Sequence, residues 1–195
     1  MPEGLVIDKT NTAILIMDYQ YAVSSEIPEE QRKILMQKAA GVLDHARKNG
    51  LKIIHVANIF RPGYPEVNLR NRIFREVKAR GMYMEGSQGA KIHTEVSPQE
   101  GEILITKHRA SAFYGTDLEI ILRSKNISQL VMMGIATEGC VLSTVRQAAD
   151  MDYDVVVLSD CCADPDKEIH DALVKKIFMR EATVVTAQEF TSAIK

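Results

Sequence analysis

The sequence predicts an α/β fold with three layers, α/β/α, around a six-stranded parallel sheet. Three observations predict it. Short continuous apolar runs recur, as in Ala13–Met17, Leu130–Met133 and Val155–Leu158, and this is the signature of strands buried on both faces. Helical patterns lie between these runs, so strand and helix alternate. Polar residues close several of the runs. In an open parallel sheet that places them at the carboxyl edge, where ligands bind at the reversal of strand order.

The elements follow in order. Thr12–Asp18 is an apolar run ending in an acid, the first strand. A helix is expected from about Pro28 to Lys48, with Pro28 suited to a first helical turn and Gly50 to the stop. Leu51–Asn58 is the second strand and Glu102–Lys107 the third. Thr116 and Glu119 are spaced as a capping box opening a helix to about Ser124. Gln129–Ile135 is the fourth strand, followed by a helix from about Glu138 to Met151. Asp154–Ser159 is the fifth strand, Asp164–Arg180 a helix, Thr183–Thr186 a short sixth strand, and the last residues look helical. Phe60 to Gly101 breaks the rhythm with a helix-like Leu69–Arg80 among Pro and Gly residues. It reads as a binding loop, lid or oligomer contact, or as an ordinary crossover helix with long flanks.

Composition narrows the function. The chain has 195 residues, 46% hydrophobic and 26% charged, with a net charge of −2, as expected for one folded domain over residues 1–195 with an insertion at about 60–101. The lack of basic excess argues against a partner held through nucleic-acid phosphates. No run approaches the roughly 20 residues of a membrane span, and Met1–Lys9 lacks the pattern of a secretory leader. The three cysteines, Cys140, Cys161 and Cys162, are a poor disulfide framework and fit a reducing, cytoplasmic compartment.

Cys140 follows the fourth strand in Gly134-Ile-Ala-Thr-Glu-Gly-Cys-Val141. There a thiol meets the positive end of a helix and free backbone N–H groups, which favour a thiolate and an oxyanion. The bland alternative is a buried small hydrophobe. Asp18 could take a proton from a thiol, or be a cap or ion-pair member. Lys107, ending the third strand, could stabilise a thiolate, or face solvent. Cys161 and Cys162 point to opposite sides of an extended chain and read as packing. The five histidines show no zinc-ligand spacing, and no P-loop or G-x-G-x-x-G is present.

The order of Asp18, Lys107 and then Ala136-Thr-Glu-Gly-Cys-Val141 resembles the isochorismatase-like cysteine hydrolases, a family that includes nicotinamidases and carbamoyl-amide hydrolases. The resemblance runs from about Thr12 to Thr186. It implies a sheet order of 3-2-1-4-5-6, which brings strands one and four together. It implies Cys140 as nucleophile, Asp18 as its base and Lys107 as the balancing charge. It further implies a cis peptide between Ile135 and Ala136, with the Ala136 and Cys140 N–H groups forming an oxyanion hole. No cofactor is implied. Members with a metal carry Asp and His after strand two, whereas this chain reads Val56-Ala-Asn-Ile-Phe-Arg61, so no metal is expected. The family often has an aromatic five residues after the acid; Val23 stands there instead and should widen the pocket. Val23, Phe60, Phe113 and Tyr114 are expected to wall the substrate, and Arg61 or Arg109 to bind a substrate carboxylate bidentately.

The resemblance implies hydrolysis of a small amide or carbamoyl-type C–N bond. Two other readings stay open: an isochorismatase-type vinyl ether hydrolase, and a non-catalytic binding or assembly protein on the same fold. A small-molecule substrate and a homo-oligomer are expected, and no motif names the substrate.

Overall fold

The computed structural model describes residues 5–194, so the start of the Met1–Lys9 stretch lies outside the described residues. Six strands form one sheet: β1 (Thr12–Met17), β2 (Lys52–Asn58), β3 (Ile103–Lys107), β4 (Gln129–Ile135), β5 (Asp154–Ala163) and β6 (Thr183–Val185). Every pairing is parallel, in the order β3-β2-β1-β4-β5-β6. β1 and β4 are buried along their whole lengths, as a central pair covered on both faces must be.

The helices are α1 (Tyr21–Ser24), α2 (Glu29–Lys48), α3 (Arg72–Ala79), α4 (Leu118–Ser124), α5 (Leu142–Asp150), α6 (Lys167–Ala172) and α7 (Ala187–Ala193). The chain steps from β1 out to β3, then from β4 out to β6 in the opposite direction. Right-handed crossovers therefore put α2 on one face and α4, α5 and α6 on the other. α2 buries a single stripe, Leu35, Met36, Ala39, Val42, Leu43 and Ala46, at the helical repeat. It ends where expected, with Gly50 at φ +71°, a conformation open to glycine at little cost. Among the described residues no helix is long and apolar enough to cross a membrane.

Several boundaries differ from the sequence expectation. β5 runs four residues beyond Ser159, because its pairing with β4 resumes after an irregularity, with Gly134 opposite Cys162 and Ile135 opposite Ala163. Cys161 and Cys162 are therefore strand residues and are buried, in keeping with a packing role. The capping box expected at Thr116 does not form. The α4 N-cap is Asp117 without a side-chain cap, and Glu119 pairs with Arg123 instead. A capping box does form at the last element, between Thr186 and Glu189 at the start of α7. The expected helix after Asp164 starts later, where the Asp166 side chain accepts from the N–H groups of Glu168 and Ile169, and it winds on through a π turn at Leu173–Ile177.

The 60–101 segment folds over the carboxyl edge of β1 and β2. Gln20 ties it down: its Nε2 donates to the carbonyls of Asn58 and Ala90, both at 2.7 Å, and Phe60 pairs with Met84 in an isolated bridge.

Candidate active site

Three strand ends converge at the point where strand order reverses. Asp18 follows β1 directly, with φ +56°, and its N–H donates to the Val56 carbonyl at 2.8 Å. An aspartate tolerates this left-handed turn better than most residues, and it turns the side chain off the strand. Lys107 is the last residue of β3 and is fully buried. Its Nζ lies 2.7 Å from Asp18 Oδ2 and donates to the carbonyls of Arg109 (3.0 Å) and Ala110 (3.1 Å). All three ammonium protons thus have partners, which is what a buried lysine requires. Asn58, the last residue of β2, donates its Nδ2 to the same Asp18 oxygen at 3.1 Å.

Beyond β4 the Ile135–Ala136 peptide is cis, and Thr137–Val141 forms a π turn leading into α5. This turn carries Cys140 and is held from outside. Asp164 Oδ2 accepts the Glu138 N–H at 2.9 Å, and Thr137 Oγ1 bonds His170 Nδ1 at 2.9 Å. Cys140 Sγ donates to the Ile135 carbonyl at 3.3 Å. A Cβ added at Gly134 would stand 3.1 Å from that sulfur and 2.9 Å from the Met17 carbonyl, so the thiol can sit here only above a glycine.

Burial dominates the electrostatics. It pushes the Cys140 thiol well above the ordinary thiol range, and the neighbouring Asp18 charge pushes the same way while Lys107 opposes. Burial thus works against the thiolate that a helix start favours. Burial also raises Asp18, against the pull of Lys107 and its hydrogen bonds. The arrangement sets a buried thiol in one cleft with a buried carboxyl group and the lysine paired to it. It is equipped to move one proton when the sulfur attacks an electrophile.

Asp18, Lys107 and Cys140 line one cleft of about 470 Å³. Ala136, Val23, Phe74, Val77 and Tyr83 also line it. Of the side chains expected to wall the substrate, Val23 is there, and the others lie elsewhere. Phe60 is fully buried against Tyr64, Phe74 and His108. Phe113 packs on Tyr153 in the core, and Tyr114 is 65% exposed. Arg61 pairs with Glu66 and lines a separate groove of about 680 Å³ over β2 and β3. Arg109 bonds the carbonyls of His108 and Glu66 and lies 5.7 Å from the Phe74 ring centre. The 60–101 segment supplies the cleft wall instead, through Ile73, Phe74, Val77, Met82 and Tyr83. Asn58, Tyr83 and Asp164 escaped the sequence reading. Asn58 was visible by the argument used for Asp18, a polar residue ending a buried strand. Tyr83 and Asp164 carried no such signal.

A family model described as the Isochorismatase domain matches residues 12–189. The uncharacterized isochorismatase family protein YwoC of Bacillus subtilis is 30% identical over 195 residues, covering 100% of both chains. The ureidoacrylate amidohydrolase RutB of Rhizobium rhizogenes is 28% identical, covering 97% of this chain and 81% of the relative. Among solved structures, N-carbamoylsarcosine amidase from Thermoplasma acidophilum superposes with a TM-score of 0.71 at 26% identity, over 91% of this chain and 96% of that one. A match running from the first residue of β1 into α7, on a sheet of this strand order, makes the chain a member of the isochorismatase family of hydrolases.

Proposed function

We propose that the chain hydrolyses a small amide or carbamoyl-type C–N bond through a thioester on Cys140. The observation that carries this reading is the buried Asp18–Lys107 pair at 2.7 Å in the same cleft as the Cys140 thiol. The activities of two similar proteins, an amidohydrolase and an amidase, point to the same bond class.

The chemistry follows from the protonation states. Cys140 Sγ attacks the substrate carbonyl carbon while its proton passes to the Asp18 carboxylate, which Lys107 holds in place. Negative charge on the carbonyl oxygen is met by the N–H groups of Ala136 and Cys140. Asp18 then gives its proton to the departing nitrogen, so ammonia or an amine leaves and the C–N bond breaks. Water, deprotonated by Asp18, attacks the thioester, and the acid is released as Sγ regains its proton.

Intact-protein mass spectrometry during turnover of a panel of small amides tests this. An acyl adduct on wild type, absent in Cys140→Ala, is expected, and Asp18→Asn should lower kcat by about 10²–10⁴, the usual worth of a positioned base. Unchanged turnover in Cys140→Ala would overturn the mechanism. Activity kept without Cys140 but lost without Asp18 would point to vinyl ether chemistry instead.

A further inference from the structure

We infer that the cleft selects amides whose non-reacting end carries a positive charge, of the ammonium or guanidinium class, and turns away amides that end in a carboxylate. This rests on the amide-hydrolase reading above, and it concerns the field of the cleft rather than its chemistry.

Only two cationic side chains line the cleft among the described residues, Lys107 and Arg80. Both are committed. Lys107 spends its three protons on Asp18 and two carbonyls, and Arg80 is bonded to Glu26, also in the cleft. The arginines suited by sequence to a substrate carboxylate, Arg61 and Arg109, lie outside it and are bonded elsewhere.

Carboxylates are in excess. Besides Asp18 and Glu26, the lining includes Glu76, Glu138, Asp164 and Asp166. Asp164 and Asp166 spend oxygens on backbone N–H groups. Among the described residues, neither Glu76 nor Glu138 has a cation within ion-pair distance. Glu138 is exposed but stands two residues before the nucleophile, where partial desolvation and the Asp164 charge both hold its carboxyl above the ordinary range. A bound cation would relieve that repulsion and a bound anion would add to it.

Independent of the charge count, two residues that line this cleft each carry a buried acceptor without a partner among the described residues, Asp18 Oδ1 and Asn58 Oδ1. Asp18 is 4% exposed and Asn58 7%, so each orphan oxygen carries a desolvation cost that a ligand N–H would remove. A ligand rich in N–H donors suits both these atoms and the glutamates at the mouth.

Charged thiol reagents test the field without any knowledge of the substrate. Methanethiosulfonates with a trimethylammonium-ethyl, methyl or sulfonatoethyl group transfer that group to a thiolate as a mixed disulfide, releasing methanesulfinate. Their rates at Cys140, located by peptide mapping, are compared with those of a small free thiol. We expect the cationic-to-anionic rate ratio to exceed the free thiol's by about ten-fold or more at low salt. The excess should shrink in 0.5 M NaCl, roughly a Debye length of a few ångströms, and in the double variant Glu76→Gln, Glu138→Gln. A ratio at or below that of the free thiol overturns the inference. Labelling needs only the thiol and the field, so that result would leave the hydrolase reading standing. Among length-matched amides, kcat/KM should rank aminoalkyl above neutral above carboxyalkyl, and the reverse order would also overturn it.

Discussion

Gly134 and Lys107 show how closely single residues are constrained around the Cys140 thiol. Gly134 leaves the space that Cys140 Sγ, the Met17 carbonyl and Val141 would otherwise contest, all within 3.1 Å of an added Cβ. Gly134→Ala is therefore expected to destabilise the fold by about 1–3 kcal/mol, the usual cost of overpacking, and to displace the thiol; urea unfolding and kcat measured together check both. Removing the Lys107 charge has a different consequence. Lys107→Met leaves Asp18 buried without its cation, at a cost of about 3–5 kcal/mol at neutral pH. The loss should shrink in acid, because a protonated Asp18 no longer needs the cation, so unfolding at two pH values separates this from a packing defect. Cys140 itself should alkylate with a pH profile displaced above that of an ordinary thiol, since burial and the Asp18 charge both hold its proton. A profile at or below the ordinary range would contradict that electrostatic picture.

At the scale of elements, the decisive piece is the π turn at Thr137–Val141. A wide turn at a strand-to-helix junction makes fewer hydrogen bonds of its own than a regular helix start, so its shape depends on neighbours. Asp164 is the main one, accepting both the Glu138 and the Asp166 N–H. Asp164→Ala should cost about 1–3 kcal/mol by orphaning these groups and should lower kcat more than it changes KM. The conservative Asp164→Asn keeps one acceptor oxygen and should recover part of both. The end of β5 belongs to the same unit, because its extension to Ala163 carries the chain to Asp164. In sequence β5 appeared to stop at Ser159, where Asp160 interrupts the apolar run. The structure satisfies that residue with Lys38 and the Ala187 N–H, so the strand continues. The capping box at Thr116 failed for a similar reason. Thr116 Oγ1 donates to the Ala112 carbonyl at 2.6 Å, and Glu119 is drawn to Arg123. The local pattern was present, but competing partners took both side chains.

Across the whole molecule, a polar cluster far from the cleft joins three parts of the fold. Glu102 accepts from Arg47 of α2 (2.8 and 3.0 Å), from His55 of β2 (2.9 Å) and from the Gln99 N–H (2.9 Å). Burial works to raise its carboxyl, but these bonds and the Arg47 charge hold it down at about 2. Its contribution to stability is therefore complete above about pH 4.5, the unfolded value, and is lost as pH falls towards 2. Glu102→Gln should be less stable than wild type at pH 7. It should also lose less stability than wild type between pH 4.5 and 2, which denaturant titrations across that window would show.

What the sequence determined by itself was the strand-and-helix alternation and the residues that end the strands. Both are local: a buried parallel strand announces itself by a short apolar run, and its polar terminus is marked by the break in that run, as at Asp18, Lys107 and Asn58. The resemblance carried by Asp18, Lys107 and the stretch around Cys140 extended this to a strand order, which the sheet has. The cleft wall was not legible in the same way. Phe60 and Phe113 look like pocket aromatics in sequence, yet they are core, while Tyr83 and Val77 line the cleft. Which face of the 60–101 segment turns inward depends on long-range ties such as Gln20 to Asn58 and Ala90. The charge state of the site was equally hidden. A helix start favours a thiolate when considered alone, but only the folded chain buries Cys140 beside Asp18, and desolvation is a property of everything packed around a group rather than of its neighbours in sequence.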